Sequence, residues 1–106
     1  MSKLVAVNSV EEFHKVVNEG ELVVVDFYAK WCGPCRLMMP KVEKFSKEFD
    51  TVKFIKVDVD ENETIASSVG ISAMPTFKFY KGGNIIDEVV GVNPGQLKTK
   101  IIEYMD

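Results

Sequence analysis

The segment Leu22-Val23-Val24-Val25-Asp26-Phe27-Tyr28 is almost unbroken apolar, β-branched and aromatic sequence. A strand with one solvated face alternates apolar and polar residues; one that does not alternate is covered on both faces. This requirement points to a layered α/β chain, with helices on either side of a sheet. Asp26 is the one residue in the run that such burial does not suit.

The flanking sequence supplies the layers. Residues 3–7 predict a short first strand. Ser9 and Glu12 form a capping-box signature, and Val10, Phe13 and Val17 share one helical face up to Gly20. Beyond residues 31–35, Met38, Val42, Phe45 and Phe49 form a helical stripe, with Lys41, Lys44 and Glu48 on other faces and a kink expected at Pro40. Leu37, Met38 and Met39 read as core filler, with Met39 the one able to face outward. Residues 52–59 predict a buried strand, and residues 61–69 a helix capped by Gly70. Strands over 76–80 and 85–90 are joined through Lys81-Gly82-Gly83-Asn84, a hairpin signal. Asn93, Pro94 and Gln96 open a last helix whose inner face is Leu97, Ile101, Tyr104 and Met105. The order is βαβαβαββα, parallel where helices cross over and antiparallel at the hairpin.

With 106 residues, 46% of them hydrophobic and 27% charged, the chain has the size and composition of one domain over residues 1–106. A formal net charge of −3 gives no electrostatic basis for binding nucleic acid or an anionic membrane. The first eight residues lack a charged region leading into a long apolar run, and no stretch approaches the ~20 apolar residues of a membrane span. A soluble, cytoplasmic protein is expected. His14 reads as a surface helix residue, and Asp58, Asp60, Glu61 and Glu63 as a solvated edge.

The two cysteines, Cys32 and Cys35, are separated by two residues. A bridge over so short a loop removes little chain entropy, so the pair suits reversible chemistry better than stapling. It also opens a helix, where unpaired backbone N–H groups and the helix dipole stabilise a thiolate. Cys32 is expected to attack a substrate disulfide. Cys35, one turn further in and less exposed, then attacks the mixed disulfide and releases the reduced substrate. Pro34 presets the backbone for the helix. The alternative is half of a zinc site; such a site wants about four ligands. His14 is the only other soft donor, which leaves a metal-bridged dimer as the competing form. No Gly-x-Gly-x-x-Gly fingerprint is present, and no cofactor is expected.

Trp31-Cys32-Gly33-Pro34-Cys35 resembles the active-site motif of the thioredoxin family. The likeness runs along the chain, through Asp26-Phe27, Pro40, Lys56-Val57-Asp58-Val59-Asp60, Met74-Pro75-Thr76-Phe77 and Gly91. It implies a thioredoxin fold with a central five-stranded mixed sheet, strand order 1-3-2-4-5, and four flanking helices.

The resemblance assigns Asp26, whose pKa burial would raise, to proton transfer with Cys35 through water; a locally bonded strand-end aspartate is the alternative. It brings Lys56 near Asp26, against a lysine that simply reaches solvent. It implies a cis Met74–Pro75 bond beside the disulfide, presenting the Met74 backbone to an extended substrate segment, against a plain turn proline. Trp31, Gly33, Pro34, Met74, Pro75 and Gly91 would form an apolar docking surface, although Trp31 would also serve as core and Gly91 as a bulge. Tyr28 departs from the tryptophan common at its position.

Gly33-Pro34 places no charge between the cysteines, so the pair is expected to be reducing. The implied function is a protein disulfide reductase and electron carrier, re-reduced by an NADPH-dependent flavoprotein, thioredoxin reductase. Its partners would be disulfide-containing proteins. A monomer is expected, with weak dimerisation through the docking surface as the alternative. A thioredoxin-like binding module with incidental cysteines is the second functional reading.

Overall fold

Val23–Tyr28 forms β2, which pairs parallel with β3 (Lys53–Asp58) on one side and antiparallel with β4 (Thr76–Lys81) on the other. The computed structural model describes residues 2–106; Met1, the first residue of the segment that lacks an export signal's pattern, lies outside them. The remaining strands are β1 (Val5–Ala6), parallel to β3, and β5 (Asn84–Val90), antiparallel to β4. The five-stranded order is β1-β3-β2-β4-β5, as the resemblance implies. Four helices cover it: α1 (Val10–Val17), α2 (Gly33–Glu48), α3 (Glu63–Val69) and α4 (Pro94–Tyr104).

Alternation along β2 divides its side chains between two cores. Leu22 and Val24 pack with Phe54, Phe77 and Phe79 beneath Met38, Val42 and Phe45 of α2 and Leu97 and Ile101 of α4. Val23, Val25 and Phe27 pack on the opposite face with Ile55 and Val57 against Phe13 and Val17 of α1 and Ile65 of α3. Asp26 and Tyr28 therefore belong to the α2 face.

Local chemistry sets the element ends. Ser9 Oγ caps α1 by accepting from the Glu12 N–H at 3.1 Å, while Glu12 Oε1 accepts from the Asn8 N–H at 3.3 Å. Gly70 closes α3 in the left-handed conformation, at φ 81°. Gly82 and Gly83, both at positive φ, make the two-residue turn between β4 and β5. α2 runs unbroken through Pro40, which is exposed along with Arg36, so the carbonyl it leaves without an N–H donor can face water.

Several expectations are corrected. β1 is two residues long, shorter than the predicted 3–7. α3 begins at Glu63, because Asp58 folds the preceding residues into a turn by accepting from the Asp60 and Glu61 N–H groups at 2.9 and 3.4 Å. Asp58 is consequently buried, not part of a solvated edge. Val10, Leu37 and Met105 are exposed, because each lies at or beyond the margin of its helix's apolar stripe. Asn93 makes no side-chain cap and instead donates to Gln96 Oε1 at 3.1 Å. A β-bulge shifts the register between Phe79 and Tyr80, which pair with Asp87 and Ile85 respectively.

Burial predicts contrasting substitutions. Phe77→Ala, at a fully buried site on β4, should cost about 3–5 kcal/mol in chemical denaturation. Leu37→Ala, at a residue 64% exposed, should stay within about 0.5 kcal/mol of the parent.

Candidate active site

Topology gathers the site at one end of the sheet. β2 ends at Tyr28 beside Asp58, the last residue of the parallel strand β3. Antiparallel pairing sets Thr76, the first residue of β4, beside Phe27, and Val90, the last of β5, beside Thr76. Segments 29–32, 59–61, 72–75 and 91–92 thus meet along a single edge.

Cys32 is the N-cap of α2, in extended backbone conformation, and its Sγ accepts from the Cys35 N–H at 3.2 Å. One unpaired amide of the helix's first turn is thereby directed at sulfur. Cys32 and Cys35 are joined in a disulfide, with Cα atoms 5.3 Å apart. Both are buried, at 5% and 1% exposure, so burial alone separates them only slightly. Their surroundings separate them further. Cys32 lines a groove of about 380 Å³ with Trp31, Gly33, Pro34, Ser72, Ala73 and Met74. Cys35 lines a different cleft of about 240 Å³ with Tyr28, Ala29, Lys30, Arg36 and Met39.

The Met74–Pro75 peptide is cis, and the Met74 carbonyl oxygen lies 3.7 Å from Cys32 Sγ. The Pro75 carbonyl accepts from the Gly91 N–H at 2.9 Å, and Gly91 has φ 86°. Trp31 is 67% exposed and is not a core residue. Its Nε1–H donates to Asp60 Oδ2 at 2.8 Å, which fixes the indole at the rim. From sequence, Asp60 is no more than one acid on a solvated edge.

Asp26 is 1% exposed, and its Oδ1 has no hydrogen-bond partner. Burial pushes its carboxyl up from 3.8 to about 7, and the positive charge of Lys56 acts to lower it. Lys56 pairs with Asp26 in the β2–β3 register but holds its Nζ over the Tyr28 ring, 5.8 Å from the centroid. Lys30, read for no role from sequence, lies 3.0 Å from Glu61 and 3.8 Å from the buried Asp58. Exposed His14 stacks edge-on against Phe13. Among the described residues, no three His, Cys, Asp or Glu side chains gather as a metal site, and no helix is long and apolar enough to cross a membrane.

Comparison with known proteins agrees with this arrangement. The family model described as Thioredoxin matches residues 4–105. Thioredoxin-1 of Schizosaccharomyces pombe is 48% identical over 95 residues, covering 90% of this chain and 92% of that protein. Thioredoxin 1 of Plasmodium falciparum is 45% identical over 98 residues, covering 92% of this chain and 94% of that protein. The crystal structure of Malassezia sympodialis thioredoxin superposes with a TM-score of 0.95 at 44% identity, covering 100% of this chain and 94% of that one. A thioredoxin from Nicotiana alata superposes with a TM-score of 0.94 at 37% identity, covering 99% and 95%. With a Cys-x-x-Cys disulfide at the start of α2 on this fold, the chain belongs to the thioredoxin family of thiol–disulfide oxidoreductases.

Proposed function

We propose that the chain reduces protein disulfides, with Cys32 as the attacking sulfur and Cys35 as the resolving one. The observation that carries the assignment is the Cys35 N–H directed at Cys32 Sγ, 3.2 Å away, in the first turn of α2. In the dithiol form the same donor and the helix dipole favour a thiolate on Cys32. That thiolate attacks one sulfur of a substrate disulfide, forms a mixed disulfide and expels the other sulfur as a thiolate. Cys35, deprotonated, then attacks Cys32 Sγ. The Cys32–Cys35 bond forms, the mixed disulfide breaks, and two electrons have passed to the substrate.

Asp26 takes the proton from Cys35, with water as the intermediary. A carboxyl with a pKa near 7 exchanges protons at neutral pH, whereas an ordinary carboxylate would be too weak a base to help. Lys56 tunes it. The groove beside Cys32 supports the docking role, since exposed Trp31 lines it together with Gly33, Pro34 and Met74. Gly91, held to the Pro75 carbonyl, lets a partner backbone pass close because it carries no Cβ.

Residues 1–106 act as one domain, since both cores are built on the same sheet. Family membership supports re-reduction by an NADPH-dependent thioredoxin reductase and disulfide-containing proteins as acceptors. A monomer in a cytoplasmic compartment, carrying electrons for redox homeostasis, fits a cysteine pair built for cycling.

Cys35→Ser should accumulate mixed disulfides through Cys32 on non-reducing gels, whereas Cys32→Ser should not; equal trapping by both would overturn the assignment. Asp26→Ala should keep the fold, slow the resolving step by about 10-fold or more, and flatten its pH profile near neutrality.

Asp26 also makes a thermodynamic prediction. Between pH 3.8 and about 7 the folded protein retains a proton that the unfolded chain has lost, so stability falls as pH rises through this window and levels off above it. Removing the carboxyl removes the loss. The stability of Asp26→Ala relative to the parent should therefore improve from pH 4 to pH 8 by roughly 4 kcal/mol, measured by urea denaturation of the oxidised forms. A difference that stays constant over that range would rule out the raised carboxyl.

A further inference from the structure

Tyr28 has no part in the exchange steps, yet its ring faces a charge that matters to them. Lys56 Nζ sits 5.8 Å from the ring centroid, inside the range of about 6 Å over which an aromatic quadrupole attracts an ammonium. Tyr28 follows Asp26 by two residues on β2, so both point to the α2 face. Lys56 stands beside Asp26 on β3, and its stem is half-buried. Its ammonium is not bonded to Asp26 Oδ1, which has no partner. The ring holds it.

Few other charges surround the carboxyl. On β3, Asp58 is engaged by the Asp60 and Glu61 amides and lies 3.8 Å from Lys30. Lys30 is bonded to Glu61 at 3.0 Å. From α2, Cys35 is in the disulfide, and Arg36 Nη1 donates to the Lys30 carbonyl at 2.8 Å. β4 contributes Thr76 and Phe77, neither charged. Neither Lys56 nor Arg36 has a carboxylate partner among the described residues, and of the two it is Lys56 whose charge acts on Asp26.

We infer that Tyr28 is a positioning residue whose ring anchors the Lys56 ammonium near the Asp26 carboxyl and so sets how readily that buried acid exchanges its proton. The functional consequence rests on the proton role proposed for Asp26; the anchoring itself does not. An ammonium is better hydrated in water than beside a buried acid, so without the ring the flexible lysine extends to solvent. Asp26 then loses the positive charge that acts to lower its pKa and keeps its proton to higher pH.

The test is a carboxyl-carbon NMR titration of Asp26 in the oxidised protein, with the pH profile of the resolving step measured alongside. Tyr28→Phe keeps the ring and should titrate as the parent does. Tyr28→Leu should raise the Asp26 midpoint by about half a pH unit or more. Tyr28→Met serves the same purpose should leucine disturb β2. Lys56→Met should move the midpoint in the same direction, and adding Tyr28→Leu to it should move it no further. An unmoved or lowered midpoint in both ring-free variants, or an effect undiminished in the Lys56→Met background, would overturn the inference. The two readings fail separately. An Asp26→Ala profile unchanged from the parent would remove the proton role, while the NMR midpoints would still decide whether Tyr28 acts through Lys56.

Discussion

The double pairing of β2 is the constraint from which the site follows. Because β3 runs parallel to it and β4 antiparallel, the end of β2 meets the end of β3 and the start of β4. No loop has to reach far to bring Cys32, Met74, Pro75 and Gly91 together. Burial of β2 on both faces fixes the register that keeps this edge aligned, since a one-residue slip would exchange every side chain between the two cores. Packing and chemistry are one problem at this position.

Asp26 carries the tension in that arrangement. A strand covered on both faces has no proper place for a carboxylate, and the residue lacks a bond to one of its oxygens. The strand is less stable for it, and the acid gains a pKa suited to neutral conditions. Functional sites commonly tolerate such local conflict, which the surrounding core offsets. Around Asp26 the offset comes from the phenylalanines of β3 and β4 and the inward face of α2.

Much of this was legible in the chain, for physical reasons. The unbroken apolar run of β2, the glycine pair of the hairpin and the Met38–Val42–Phe45 stripe are signals in which local propensity and tertiary burial agree. The cysteine pair declared its chemistry through its spacing and its place before a helix. Other features had no local signal. The indole of Trp31 is fixed by Asp60, and the ammonium of Lys56 by Tyr28, through contacts between segments about 30 residues apart in sequence. Asp58 looked like one acid among several, and only the turn after β3 shows that it is buried to bind backbone amides. The cis geometry at Pro75 came from family likeness, because X-Pro sequence alone favours trans.

The two sulfurs open to different neighbourhoods, Cys32 to the groove beside Trp31 and Cys35 to the cleft beside Tyr28. A bulky protein seated across the first would act as a lid over that mouth alone. The second stays ventilated, so solvent retains a separate way in while the covalent encounter lasts. Large guests and small traffic use different doors.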